Sequence, residues 1–441
     1  MKYSGVEWLG DIPQNWDVDR IKRAILSIKG GIWGDEAVGD ENDVDCVRIA
    51  DFERKYYRVG DVDFTKRNIP IIKQRDYLLK YGDLLIEKSG GGDKTPVGFV
   101  ALFDKQESAV YSNFTAKLTV NQNEADSNFM RYLFAALYEQ GISFRSIKQT
   151  TGIQNIDMKA YLDEKVGYPP INTQRKIAKI LDFDVIEINS LIEKTKSTIE
   201  DYKLLKQSII TEAVTKGLDK NVEMKDSGIE WIGSIPSHWN VSKLRYLGSL
   251  QNGISKSSDF FGKGTPFVSY SDVYRNYELP PDVSGLVEAT EKDKITYSVQ
   301  EGDVFFTRTS ETIEEIGFSS TCLKTIPDAT FAGFLIRFRP FSKSSLQEKF
   351  TKYYFRSDIH RRYFVKEMNL VTRASLSQGL LKNLTVLLPP IEEQVLIGEF
   401  LERKCHEIEV LINRKMRIIE ELEAYKKSLI YEYVTGKKEV E

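Results

Sequence analysis

The 441-residue chain writes one pattern twice, and this repetition limits its fold more than any other feature. The segment Ser4-Gly-Val-Glu-Trp-Leu-Gly-Asp-Ile-Pro-Gln-Asn-Trp16 returns as Ser227-Gly-Ile-Glu-Trp-Ile-Gly-Ser-Ile-Pro-Ser-His-Trp239, identical at eight of thirteen positions. Two tryptophans, a proline and two glycines in register are poorly explained by chance. At an offset of 220, Tyr81-Gly-Asp-Leu-Leu-Ile86 matches Glu301-Gly-Asp-Val-Phe-Phe306, and Pro169-Pro-Ile-Asn-Thr-Gln174 matches Pro389-Pro-Ile-Glu-Glu-Gln394. Each Gly-Asp pair reads as a turn feeding a buried strand. Trp8, Trp16, Trp231 and Trp239 read as packing residues of the repeated opening box, with partner contact as the alternative.

After each Pro-Pro pair, which suits a helix entrance but not a helix interior, a long stretch rich in Ile, Leu, Glu and Lys predicts a helix. Alternating spacings of four and three select Ile177, Leu181, Ile188, Leu191, Leu205 and Ile209 in the first, and Ile397, Leu401, Ile408, Leu411, Leu422 and Leu429 in the second. That is a heptad seam, the pattern of coiled-coil helices, and about 40 residues make a rod of roughly 60 Å. Between box and helix, short aromatic and β-branched runs such as Val97–Leu102 and Ala332–Phe338, then helical stretches at 128–139 and 346–355, predict a mixed α/β chain. The stretches from about 24 to 150 and from 247 to 370 share almost nothing beyond the Gly-Asp strand. The expected divisions are 1–168, 169–218, 219–388 and 389–441, two mixed domains each followed by its helix. Similar frames should meet the same kind of partner, and unlike domains should meet different things.

Composition narrows the chemistry. With 62 Lys and Arg against 65 Asp and Glu the net charge is −3, so any basic surface is local. Three widely spaced cysteines, Cys46, Cys322 and Cys405, argue against a disulfide framework and for a reducing cytoplasm. The absence of both a signal-like start and a long apolar run gives no membrane role, and three histidines build no familiar metal site. The glycine run from Lys88 to Lys94 lacks phosphate-loop spacing, and Thr95-Pro-Val-Gly-Phe after it reads as a strand. The Glu53-Arg-Lys55 triplet resembles a nuclease element, but recurs as Glu402-Arg-Lys404 where a site is implausible. Tyr168-Pro-Pro and Leu388-Pro-Pro carry the wrong flanks for an adenine methyltransferase.

Two polar, basic clusters precede the Pro-Pro pairs: Arg145, Lys148, Thr151 and Gln154 in the first half, then Arg356, His360, Arg361, Arg362, Arg373 and Ser375 in the second. Such side chains can neutralise phosphates and hydrogen-bond base edges. With Lys88, Lys94 and Arg308 they are the candidate DNA contacts; a solvated helix face with a polar loop is the alternative.

This order of parts, SGxEWxGxIPxxW, a variable domain, PPIxxQ, a long helix ending SxIxExVT, then all again, resembles the specificity subunit of type I restriction-modification systems across essentially the whole chain. Asn172-Thr173 in the first copy departs from Glu392-Glu393 in the second. The resemblance implies two target recognition domains that each bind one half of a split, asymmetric sequence in double-stranded DNA. It further implies helices packed as an antiparallel coiled-coil spacer, and no catalytic residue or cofactor of this chain's own. Two methylation subunits would carry S-adenosylmethionine, and restriction subunits would carry ATP and Mg. A self-contained restriction or modification enzyme and a coiled-coil scaffold without DNA binding are the competing readings.

Overall fold

A computed structural model describes residues 1–92, 94–150, 152–310, 316–367 and 374–440. Two compact units are present: Met1–Ser197 with Met416–Glu441, and Thr198–Lys415.

The repeated box earns its sequence locally. In the first unit Ser4 Oγ accepts the Val6 N–H at 3.1 Å, and the Ser4 N–H donates to the Gly10 carbonyl at 3.1 Å, tying off a small loop beside the hairpin of Lys2–Tyr3 with Asp11–Ile12. In the second unit Ser227 Oγ accepts from Ile229 at 3.1 Å and Ser227 N–H donates to Gly233 at 3.0 Å. Both boxes end on a buried indole, Trp16 and Trp239, whose backbone N–H donates to the carbonyl of the proline three residues earlier. Trp8 donates from Nε1 to the Lys165 carbonyl at 3.1 Å, and Trp231 packs against Tyr363.

The first unit is built on a six-stranded sheet in which Leu84–Glu87 pairs antiparallel with Thr115–Val120 on one side and Val100–Leu102 on the other. In the second, a four-stranded sheet places Val304–Thr307 between Leu335–Pro340 and Ser319–Thr321. Both central strands are wholly buried, as their apolar runs require. The preceding turns explain the Gly-Asp pair. Gly82 and Gly302 have φ of +90° and +87°, which a side chain would strain, and the next aspartates, Asp83 and Asp303, accept the Lys80 and Gln300 N–H groups at 2.8 and 2.7 Å. The expected strand at Val97–Leu102 begins only at Val100, because Gly98 adopts φ +103° and leaves residues 96–99 irregular. The helices flanking these sheets are Ser127–Glu139 and Glu348–Tyr354.

Strand Asp17–Arg20 pairs with Lys165–Tyr168, and Asn240–Lys243 pairs with Thr385–Leu388, so each box is tied to its own Pro-Pro entrance. The long helices follow, Ile171–Lys216 and Ile391–Val434. The glutamine of each PPIxxQ motif, buried at 1% exposure, explains the motif. Gln174 donates from Nε2 to the Pro169 carbonyl at 2.9 Å and the Glu124 carbonyl at 3.2 Å, and accepts the Asp126 N–H at 2.9 Å. Gln394 repeats all three with Pro389, Ser345 and Gln347 at 3.0, 3.1 and 2.9 Å. One amide thus fixes each long helix to the loop that starts its domain's helix.

The helices form an antiparallel coiled coil, with Asn189 meeting Lys426 in the first unit and Lys206 meeting Glu409 in the second. The heptad phase, however, shifts. Ile177, Leu181, Ile188, Ile397, Leu401, Ile408 and Leu429 are buried, Ile209 and Leu422 are half-buried, but Leu191, Leu205 and Leu411 are exposed at 48, 47 and 37%. The inward positions instead run through Val185, Ile192, Ile199 and Lys206, and through Cys405, Ile412, Ile419 and Lys426, each 220 residues after its counterpart. An additional four-residue step from Leu181 to Val185, and again from Leu401 to Cys405, causes the shift. A strict heptad drifts about 20° per repeat against a straight helix, and a step of four absorbs that drift.

Candidate nucleic-acid interface

Leaving its buried central strand, each domain presents a basic residue in the same clamp. Lys88 N–H donates to the Phe114 carbonyl at 2.9 Å, and the Lys88 carbonyl accepts from Ile156 at 3.0 Å. Arg308 N–H donates to the Phe334 carbonyl at 2.9 Å, and the Arg308 carbonyl accepts from Leu376 at 2.7 Å. Every partner in the second set lies 220 residues after its counterpart. The adjoining ladder repeats as well, with Ser89 opposite Asn155 and Thr309 opposite Ser375. The two variable regions therefore share a backbone plan that their side chains conceal. Both cationic side chains are half-buried, and among the described residues neither has an ion-pair partner.

The first domain gathers its expected contacts around the three-stranded sheet of Ser89–Gly90, Ile153–Ile156 and Ile147–Thr150. Lys94 and Arg145 are exposed. Lys148 is exposed but bridges to Asp157 at 2.6 Å, and that hydrogen bond holds the Asp157 carboxyl below its usual range. Gln154 is buried, its Oε1 accepting the Val97 N–H at 3.3 Å, so this amide braces the glycine loop. In the second domain Arg362 is exposed on the helix Ile359–Glu367, and Ser375 is exposed on the short strand Ala374–Ser375. Thr151, Arg373 and the Arg361 side chain lie outside the described residues.

Two members of the second cluster do not belong to a basic surface. Arg356 donates to the Val273 and Ser319 carbonyls at 3.1 Å and to Tyr274 at 2.6 Å, and lies 4.3 Å from the Phe318 ring centre. Its burial lowers the guanidinium pKa from the ordinary value. His360 is 2% exposed and packs edge-on against Tyr354 at 4.8 Å. A polar run read along the sequence does not separate a surface from an interior that long-range partners satisfy.

Acidic candidates resolve into ordinary pairs. Glu53 pairs with Arg58 at 3.4 Å, and among the described residues no group of three His, Cys, Asp or Glu side chains has metal-holding geometry. Cys46, Cys322 and Cys405 are buried free thiols; burial pushes the first two up to about 12 and the third to about 11.

Against known proteins, the family of type I restriction modification DNA specificity domains matches residues 43–201 and 236–423. The chain belongs to that family. Among its relatives, the MjaVIII specificity subunit of Methanocaldococcus jannaschii is 25% identical over 97% of this chain and 93% of its own. The EcoKI specificity subunit of Escherichia coli K12 is 24% identical over 89% and 83%. The fold is shared with a chain solved in work on complex assembly of the type I R-M system, with a TM-score of 0.74 at 16% identity over 97% of this chain and 100% of that one. The HsdS subunit of Thermoanaerobacter tengcongensis gives 0.55 at 15% identity, over 97% and 98%. Family membership accounts for the paired frame, since the two matched segments are the two variable domains with parts of their helices. Among the described residues no helix is long and apolar enough to cross a membrane.

Proposed function

We propose that this chain is the non-catalytic DNA-reading subunit of a type I restriction-modification complex. It binds an asymmetric split sequence in double-stranded DNA and positions two methylation subunits, with restriction subunits joining them in the cytoplasm. The observation that carries this reading is the clamp around Lys88 and Arg308, one backbone plan used twice with unlike side chains around it. One plan suits one kind of ligand, and unlike side chains suit two different half-sites. Methyl transfer from S-adenosylmethionine, and ATP- and Mg-dependent cleavage, belong on this reading to the partners.

The experiment is an exchange of residues 20–160 for the matching part of another family member, followed by mapping of methylated adenines in a host supplying the partners. One half-site should change and the other persist. Alteration of both, or failure of a folded chimera to assemble, contradicts the reading. Labelled methyl transfer by the purified chain alone should be nil.

A further inference from the structure

Beside each clamp lies an open pocket, and the two pockets occupy the same place in their domains. The first, about 240 Å³, is walled by Trp33, Arg48, Ile49, Asn113 and Phe114. The second, about 560 Å³, is walled by Ser255, Ser269, Tyr270, Arg308, Gly333 and Phe334. Backbone bonds establish the correspondence. Ser112 N–H donates to the Val47 carbonyl at 2.9 Å as Ala332 does to Val268 at 3.0 Å, and Ile32 donates to Tyr111 at 2.9 Å as Ile254 does to Phe331 at 2.8 Å. At the pocket wall, Asp51 accepts the Arg48 backbone N–H at 2.7 Å as Asp272 accepts that of Ser269 at 2.8 Å.

The Phe114 and Phe334 rings stand 49 and 64% exposed at matching positions, and Trp33 is 36% exposed. Exposed aromatic surface kept at the same spot in two otherwise unlike domains marks a binding surface more than chance. The cations beside it state the charge of the occupant. The Lys88 ammonium lies 3.4 Å from where a Cβ on Gly30 would stand, three residues before Trp33, and Arg308 lines the second pocket itself. Arg48 is held by Asp51 at 3.0 Å, whereas Lys88 and Arg308 carry no such partner among the described residues. An unpaired cation next to an aromatic wall complements a nucleotide, which sets an anionic phosphate beside a planar base that at thymine carries an apolar methyl group.

We propose that these matched pockets are the base-reading sites of the two domains: Lys88 and Arg308 take corresponding phosphates, Phe114 and Phe334 pack against the neighbouring nucleotide, and the unlike residues Trp33, Arg48, Ile49 and Asn113 against Ser255, Ser269, Tyr270 and Gly333 choose the base. The proposal rests on the DNA-reading function above. It locates the choice in side chains that differ on a backbone that does not.

The test uses the full chain assembled with its methylation partner. Lys88→Ala and Arg308→Ala should each weaken binding and reduce the log–log salt slope by about 0.9, with the methylated sequence unchanged and with Lys88→Arg restoring the slope. Phe114→Ala and Phe334→Ala should each weaken binding with the methylated sequence unchanged, whereas Asn113→Ala should relax one position of the first half-site by about 5- to 150-fold and leave the second intact, and Ser255→Ala the reverse. Both rings are solvent-exposed, so thermal melts matching wild type are expected. Unchanged slopes in both charge variants, unchanged affinity in both ring variants, or an unchanged target in both Asn113→Ala and Ser255→Ala overturns the proposal. A wild-type complex that ignores split DNA sequences would instead overturn the reading of function, before any variant is compared.

Discussion

Lys426 on the second long helix donates from Nζ to Asn189 Oδ1 on the first at 2.9 Å, with the two residues 8 and 3% exposed. Lys426 stands 220 residues after Lys206, and Glu409 stands 220 after Asn189, so the 2.6 Å Lys206–Glu409 bond occupies the same position in the other repeat. One copy meets its lysine with a neutral amide and the other with a carboxylate. Burial lowers the Lys426 pKa, whereas Lys206, although burial alone would lower it too, is raised by Glu409. Asn189 also donates from Nδ2 to the Lys55 carbonyl at 2.8 Å, joining helix to domain.

Asn189→Leu should therefore destabilise the first unit by about 3–5 kcal/mol, since it strands a buried charge and frees a carbonyl. Adding Lys426→Met should recover part of that loss, because no charge remains to be solvated. Urea unfolding of the two variants against wild type measures both. Equal losses in single and double variants would mean that the lysine is hydrated and the amide serves only Lys55.

The PPIxxQ glutamines make a paired prediction. Gln174→Ala removes three hydrogen bonds and leaves the Asp126 N–H and two carbonyls without their partner, which costs about 1–3 kcal/mol. Gln394→Ala should cost the same in the second unit. Hydrogen exchange read peptide by peptide should show each loss confined to residues 124–174 or 345–394. A variant that loosens neither stretch would show that the prolines alone hold the entrance.

These residues show what the sequence makes legible. The repeat was visible because the box, the Gly-Asp turn and PPIxxQ each need specific side chains: a serine loop, a left-handed glycine, an amide that both donates and accepts. The clamp at Lys88 and Arg308 was not, because it is made of backbone N–H and carbonyl groups, and any side chain can sit on those. Thus regions that look unrelated as text share a ladder, as Ser89–Asn155 and Thr309–Ser375 show. The seam was legible as a period but not in phase. Val185 and Cys405 face inward four residues after Leu181 and Leu401, where a strict heptad steps three, and the heptad carries that one-residue error on to Leu191, Leu205 and Leu411. Trp33 and Phe114 are silent in the sequence because single aromatics signal nothing until the fold leaves them exposed beside a cation.

Glu87 links stability to pH. It ends the central strand at 3% exposure, and burial raises its pKa from 4.5 to about 7, with the ion-paired Arg54 opposing that rise. Between those values the folded state holds a proton that the unfolded state has released. Its contribution is complete below pH 4.5 and is lost as pH rises towards about 7, at no more than about 1.4 kcal/mol per unit. Glu87→Gln imitates the protonated form. Its stability relative to wild type should rise from pH 5 to pH 8, as urea midpoints at the two values will show. A difference independent of pH would mean that Arg54 keeps the carboxylate ionised throughout.

The last prediction concerns helix length. Both long helices cross from one unit to the other, between residues 197 and 198 and between 415 and 416. Near these crossings the inward positions 192, 195, 199, 202 and 206 alternate steps of three and four, as do 412, 415, 419, 422 and 426. Seven residues added after Thr195 and after Lys415 keep that phase, whereas the same insertion beside Val185 or Cys405 meets the additional four-residue step. A heptad lengthens each helix by about 10.5 Å, the rise of some three base pairs. If the helices set the distance between the half-sites, the unread spacer should grow by up to three base pairs with both half-sites retained. Three base pairs also turn the duplex by about 100°, so affinity should fall even as the longer spacer becomes preferred. Methylation mapping of the paired insertion reads the spacer directly. An assembled, active variant that kept its original spacer would show that contacts of the domains, not the length of the helices, set the distance.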